Sequence, residues 1–181
     1  AAVRQGIGPW AGLESERLFE QPSFIVVGSP SAARRLVGAQ PEAFAREPLL
    51  GDNDVWKDWF AAAGLRVNVR TVAVFNDAGL MLQAAEQSLG LALAREIHAA
   101  DALIDGRLVR LSPITVTHEE AQPYHLVYPP ALRDWPPLDA FRRWLRDELD
   151  QSMAALHRSE ATRGMKPRAP ARKRRAAASR K

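Results

Sequence analysis

Apolar and polar residues follow one another along this chain in patterns that predict both strands and helices. Short apolar runs typical of strands lie at 23–27, 66–75, 91–93, 106–111 and 124–128. Apolar residues that recur every three or four positions predict helices at 55–63, 80–85 and 138–156. Residues 98–105 are interpreted as a turn region. Because strands and helices alternate, the pattern predicts an α/β fold.

The segment FNDAGLMLQAAEQSLGLAL, residues 75–93, has the pattern most typical of a small-molecule site. Phe75 ends a predicted strand, and Asn76 or Asp77 can accept the unpaired N–H groups that open the following helix. Gly90 can end that helix in a left-handed turn. Because α/β proteins place small ligands where a strand leads into a helix N-terminus, we predict a site at this junction.

Further positions fit a binding site built from backbone N–H groups, hydroxyls and amides. Ser29 or Ser31 can cap a short helix, and Tyr124 begins a later strand. Asp54 is expected to cap the helix at 55–63 in the same way. Each position also has a structural interpretation, as a helix cap or as a tyrosine on a half-buried strand. The residue pattern leaves both roles open.

The sequence contains none of the motifs that are typical of catalytic or metal-binding sites. Cysteine is absent from the sequence, which excludes disulfides and thiolate chemistry. The four histidines show no metal-ligand spacing, and neither a GxSxG turn nor a P-loop occurs. Asp52, Asp54 and Asp58 lack the spacing of a calcium loop and are interpreted as loop and cap residues. We therefore predict no catalytic residue, no metal and no cofactor, and a protein that is not an enzyme.

Positive charge is concentrated at the end of the chain. Residues 158–181 contain ten Lys or Arg residues and one acid, so the rest of the chain is mildly acidic although the net charge is +4. The tail from 162 has almost no large apolar residues and is predicted to be disordered. It is interpreted as a solvated extension. The alternative is a salt-dependent, nonspecific contact with nucleic acid.

The sequence favours a cytoplasmic protein. No apolar run approaches the roughly 20 residues that a membrane helix needs. The first residues also lack the basic start and long apolar stretch of a signal peptide. We expect no membrane partner.

Seven short motifs occur in a fixed order along most of the chain. They are AVRQGIGPWAGL at 2–13, the segment 18–30, the segments 56–65 and 75–93, GRLV at 106–109, YHLV at 124–127 and FRRWL at 141–145. In this order they resemble the effector-binding half of LysR-type transcriptional regulators, in the subgroup of the glycine-cleavage and β-lactamase regulators. Ser88 departs from the resemblance, because the family usually has glycine there.

The resemblance implies a periplasmic-binding-protein-like (type II) fold of two subdomains, with subdomain one incomplete. Residues 1–21 and 119–150 are expected to form part of subdomain one, and residues 22–118 subdomain two. A helical extension at 151–161 and the basic tail at 162–181 follow. In the family a winged helix-turn-helix domain and a linker helix come first, so this chain is expected to begin about halfway through subdomain one.

The resemblance also implies that a small-molecule effector binds between the subdomains and that closure or rotation is relayed to the DNA-binding domain. Together with the helix-start argument, it selects the candidate effector residues Arg4, Gly6, Ser29, Phe75, Asn76, Asp77 and Tyr124. Expected partners are the effector, further copies of the chain in a dimer or tetramer, and DNA through the missing N-terminal domain. The alternative is a stand-alone small-molecule-binding protein of the periplasmic-binding class.

Overall fold

The computed structural model describes residues 1–18, 23–118 and 121–162, and it folds them around two β-sheets. The strands are β1 Ala2–Gln5, β2 Glu14–Arg17, β3 Ser23–Gly28, β4 Leu49–Leu50, β5 Leu91–Arg95, β6 Val109–Thr117 and β7 Tyr124–Tyr128. The helices are α1 Pro30–Leu36, α2 Pro41–Phe44, α3 Asn53–Ala62, α4 Ala78–Glu86, α5 Glu96–Ile104 and α6 Pro136–Thr162. The predicted α/β class is confirmed.

The larger sheet has the order β4-β5-β3-β6 and is buried on both faces. β3 pairs antiparallel with β5 and β6, whereas β4 pairs parallel with β5. Successive strand residues point to opposite faces, so Phe24 and Val26 lie in one apolar cluster while Ile25 and Val27 lie in the other. This two-sided burial explains why β3 is a continuous apolar run.

Aromatic residues fill the first of these clusters. Trp56, Trp59 and Phe60 of α3 are almost fully buried there beside Phe44. The ring centroids of Trp56 and Trp59 are 5.9 Å apart, in an edge-to-face arrangement. These tryptophans are therefore packing residues of the core.

The smaller sheet has the order β1-β7-β2 and packs against the start of α6, where Leu126 and Tyr128 contact Leu138. Polar contacts add to this packing, since Glu16 accepts hydrogen bonds from Tyr128 and Arg142. Burial by itself would raise the pKa of Glu16, but these hydrogen bonds outweigh it and hold the pKa below its usual value.

The far end of α6 packs against the larger sheet. Leu156 is fully buried in the second apolar cluster, beside residues of α4 and α5. Glu160 is buried as well and receives a hydrogen bond of 3.0 Å from Arg110 of β6. α6 therefore joins the two sheets, and at each of its ends it makes both apolar and charged contacts.

Two predicted elements are wrong. Residues 66–75 form no strand beyond a single bridge between Ala73 and Leu50, because β4 is two residues long and offers little backbone to pair with. Residues 98–105 belong mostly to α5, where Ala99, Ala100 and Leu103 form a buried face. Asp101 and Asp105 of that segment are exposed.

Helix boundaries need three smaller corrections. Asp52, rather than Asp54, caps α3, because its carboxylate accepts the Asp54 N–H. The left-handed residue after α4 is Ser88, with φ 65°, and not Gly90. Gly90 is needed for space instead, since a Cβ there would lie 2.6 Å from the Pro48 carbonyl oxygen. Thr162, placed in the disordered tail by the sequence, is the last residue of α6.

Candidate functional site

A cleft of about 900 Å³ lies where the two sheets meet. β1 and β7 contribute Gln5 and Tyr124 to its wall, and β3 and β5 contribute Phe24 and Arg95. Residues 75–79 and 81–82, which lead into and begin α4, contribute a further part of the wall, as do Asp52 and Val55 at the start of α3, and Gln122 lies next to β7. The volume is within the range of small-molecule sites, which is roughly 300–1,000 Å³.

The start of α4 presents polar groups to this cleft. Phe75, Asn76 and Asp77 all line it, as the sequence predicts for this junction. Asp77 is the helix cap, and its Oδ1 accepts the Leu80 N–H at 2.8 Å. Ala78 and Gly79, in the first turn, line the cleft as well. The backbone N–H groups of a first turn have no partner within the helix, so they favour an acceptor on a ligand.

The opposite wall is built around the Tyr124 ring. The Arg95 guanidinium lies 4.9 Å from the centroid of this ring and 5.6 Å from that of Phe24. His98 meets the Tyr124 ring edge-on, with 5.6 Å between the centroids. Arg95 and His98 stand three residues apart, at the end of β5 and the start of α5, which places both side chains on the same wall.

The environment of His98 disfavours its protonated form. Burial lowers the pKa of its imidazole, and the nearby positive charge of Arg95 lowers it further, against a smaller opposing effect of Asp77. Because the folded protein binds this proton less readily than the unfolded chain does, the free energy of unfolding falls as the pH drops below the ordinary histidine pKa.

Replacement of His98 by asparagine is therefore expected to make stability less sensitive to acid. Urea unfolding at roughly pH 8 and pH 5.5 measures the difference, since that interval spans the ordinary histidine pKa of about 6.5. The wild-type protein should lose more free energy of unfolding over this interval than the His98→Asn variant. An exposed histidine of α6 provides the control, and His157→Asn should retain the wild-type loss. Equal losses in wild type and His98→Asn would contradict the prediction.

Three predicted site residues do not line the cleft, namely Arg4, Gly6 and Ser29. Arg4 is exposed on β1, opposite His125 in the register. Gly6 is buried under the Trp10 ring, and its N–H donates to the Pro123 carbonyl.

Ser29 acts as the cap of α1, since its Oγ accepts the Ala32 N–H at 3.3 Å. It also lies in a cluster of three hydroxyls, 2.8 Å from Ser31 and 2.8 Å from Ser88. This cluster joins the start of α1 to the turn after α4, and it explains the hydroxyl at Ser88.

Several polar residues line the cleft without being predicted from the sequence pattern, namely Gln5, Asp52, Arg95, His98, His118 and Gln122. One signal was available for Arg95, because a charged residue ends the otherwise apolar run at 91–95. His118 contacts Asp58 of α3, with 2.7 Å between Nδ1 and Oδ2. Because these two residues are 60 positions apart, no local sequence pattern predicts their contact.

The described lining of the cleft contains no serine, threonine or cysteine, and Tyr124 contributes its one hydroxyl group. Among the residues that the structure describes, no cluster of three or more His, Cys, Asp or Glu side chains could hold a metal ion. No helix in the same residues is long and apolar enough to cross a membrane. Residues 19–22, 119–120 and 163–181 lie outside the described residues, so the predictions made for them stay predictions.

Solved structures share this architecture. The effector domain of the transcriptional regulator AmpR of Pseudomonas aeruginosa matches with a TM-score of 0.66 and 31% identity, over 87% of this chain and 74% of that one. The AmpR effector binding domain from Citrobacter freundii matches with the same TM-score, 0.66, and 24% identity, over 82% and 74% of the two chains. The described residues therefore have the periplasmic-binding-protein-like, type II fold that these effector domains share.

The family model of the LysR substrate binding domain matches residues 1–150. The chain belongs to this family, as the ordered motifs predict. It is 33% identical over 152 residues to the HTH-type transcriptional activator AmpR of Citrobacter koseri, covering 80% of this chain and 49% of that protein. It is 30% identical over 151 residues to the glycine cleavage system transcriptional activator of Escherichia coli K12, covering 80% and 48%. The chain thus spans about half the length of these curated relatives.

Proposed function

We propose that this chain is the effector-binding portion of a LysR-type transcriptional regulator and that it takes a small molecule into the cleft between its two sheets. The observation that supports this most strongly is the cleft itself, because side chains from both sheets and the first turn of α4 meet around it. The stand-alone periplasmic-binding protein is not favoured, since the similar curated proteins are transcriptional activators.

The proposed division into subdomains follows the two sheets. Residues 1–21 and 119–150 form one subdomain, 22–118 form the other, and 151–161 extend the last helix onto the second. Effector binding in the cleft shifts the relative populations of the subdomain arrangements. In the whole regulator a winged helix-turn-helix domain precedes this chain. The shift in subdomain arrangement is relayed to that domain and changes how it binds DNA.

The remaining parts of the proposal concern partners and chemistry. The domain binds its effector reversibly and performs no covalent chemistry, which the similarity of the chain to transcriptional activators supports. It pairs with further copies of itself in a dimer or tetramer. As a regulator of transcription it works in the cytoplasm.

A blocked cleft tests the proposal. Ala78 lines the cleft in the first turn of α4, so Ala78→Trp fills part of the ligand volume. A set of small metabolites is first screened for compounds that raise the melting temperature, because a ligand of the native state stabilises it by mass action. We expect a compound whose Kd, measured by calorimetry, weakens roughly tenfold or more in this variant. Such a loss corresponds to about 1.4 kcal/mol or more of binding free energy.

The matched control is Ala61→Trp, which adds the same side chain to the exposed side of α3, away from the cleft. Its affinity should equal that of the wild-type protein. If Ala78→Trp and the wild-type protein bind every compound of the set equally well, the effector does not occupy this cleft.

A further inference from the structure

Arg95 is a buried cation without an acidic partner in the described residues. Its side chain is 8% exposed, yet within residues 1–18, 23–118 and 121–162 no carboxylate oxygen lies within the 4.0 Å of an ion pair. Arg110, the other buried arginine, contacts both Glu96 and Glu160 at 3.0 Å. Because buried charges are ordinarily paired, a cation that has no acid beside it in the described residues favours an anionic ligand.

Contacts with the protein hold the Arg95 guanidinium in place and leave some of its N–H donors available to a ligand. Its Nη2 donates to the Gln122 carbonyl at 2.8 Å, which is its one side-chain hydrogen bond among the described residues. The rings of Tyr124 and Phe24 flank its planar group. The side chain also lines the cleft. An arginine fixed in this way retains N–H donors in the fork geometry that matches a carboxylate.

The other charges of the cleft restrict the kind of anion. Asp52 and Asp77 line it together with Arg95. The pKa of His98 is lowered by burial, so near neutral pH this side chain adds little positive charge. In the described lining one fixed cation faces two carboxylates, which disfavours a phosphate dianion or a diphosphate. A singly charged carboxylate fits this charge balance better. Each aspartate uses its Oδ1 as a helix cap, and its second oxygen can accept a donor of the same ligand.

We propose that the ligand of this cleft carries a carboxylate group that binds to the guanidinium of Arg95. The inference rests on the proposed function and specifies the chemistry of its ligand. Arg4, the arginine among the predicted site residues, lies outside the described cleft lining.

Three probes of matched size or charge test the proposal on the whole chain. They are N-acetylglycine, its neutral analogue N-acetylglycinamide, and inorganic phosphate. Titrations at constant ionic strength are followed by NMR, through the Arg95 Nε–H signal and the backbone amides of Ala78 and Gly79. We expect N-acetylglycine to shift all three signals, N-acetylglycinamide to shift the two amides alone, and phosphate to shift none of them.

Variants then measure the effect of charge. In Arg95→Gln the affinity for N-acetylglycine should fall roughly 10- to 100-fold, the range expected for a lost charge-assisted hydrogen bond. The affinity for N-acetylglycinamide should change less than about twofold. Arg95→Lys, which keeps the charge without the fork, should lie between Arg95→Gln and wild type. The exposed Arg34→Gln is the control for a changed net charge and should leave both affinities as they are.

Three outcomes would overturn the inference. In the first, N-acetylglycine or N-acetylglycinamide shifts the Ala78 and Gly79 amide signals of the wild-type protein, but N-acetylglycine does not shift the Arg95 Nε–H signal. This result would leave the proposed function intact, and it is obtained on the wild-type protein without any variant. The second is an equal loss of affinity for acid and amide in Arg95→Gln, and the third is a preference for phosphate. The proposed function fails separately if Ala78→Trp and the wild-type protein bind every compound of the screened set equally well.

Discussion

Replacing Trp56 with alanine is expected to lower the free energy of unfolding by about 3–5 kcal/mol, as large-to-small changes of buried tryptophans do. Trp56 is fully buried, and its indole N–H donates to the Leu50 carbonyl at 2.8 Å. The substitution therefore leaves a cavity beside Trp59 and Phe60, and it removes the side-chain partner of a buried carbonyl. Since small proteins are stable by only about 5–15 kcal/mol, this is a large share of the total.

Urea unfolding followed by far-UV circular dichroism measures this loss. Trp144 of α6 provides the matched control, because it is 56% exposed and its replacement by alanine should cost less than about 1 kcal/mol. Trp56→Phe keeps an aromatic ring and removes the N–H, so it should lie between the two. Equal losses for Trp56→Ala and Trp144→Ala would mean that the stabilising core does not lie around α3.

Elements whose signals are local could be predicted from the sequence. The run at 124–128 coincides with β7, because aromatic and β-branched residues stop at two prolines. The start of α4 was predicted as well, since Asp77 accepts an N–H only three residues away. The left-handed conformation of Ser88 agrees with the glycine that the family usually has at this position.

Elements that depend on distant partners could not be predicted in this way. The valine-rich segment at 66–75 has a strand-like pattern, but whether it pairs depends on the length of β4. Arg95 becomes a cleft residue because a segment 27 positions later accepts its hydrogen bond. The site thus divides into a locally encoded wall at α4 and a wall at β5 and β7 that only the tertiary structure brings together.

The same dependence on distant contacts applies to the junction between α6 and the larger sheet. Arg110 is 2% exposed, and its Nη1 donates to Glu96 at 3.0 Å and to Glu160 at 3.0 Å. Glu160 lies 50 positions further along the chain, close to the end of α6. Because α6 begins on the smaller sheet, this ion pair attaches the end of that helix to the larger sheet.

Removal of the arginine is expected to destabilise the protein more than removal of any exposed charge. In Arg110→Met two carboxylates lose their partner, and that of Glu160 is buried, so we expect a loss of about 3–5 kcal/mol. Urea unfolding at neutral pH measures it. The exposed Arg107, which pairs with Glu86 and Asp105 on the surface, is the control, and Arg107→Met should cost less than about 1 kcal/mol.

A compensating substitution distinguishes a charge penalty from lost packing. If the buried Glu160 carboxylate causes the loss, Arg110→Met combined with Glu160→Leu should recover most of it, because an apolar pair can replace a buried ion pair at little cost. Glu96 is partly exposed and can be hydrated in that variant. The double variant could instead be as unstable as Arg110→Met alone. In that case the guanidinium stabilises this junction through its packing and through its hydrogen bond to the Ser112 carbonyl. The two sheets would then be held together by shape and not by charge.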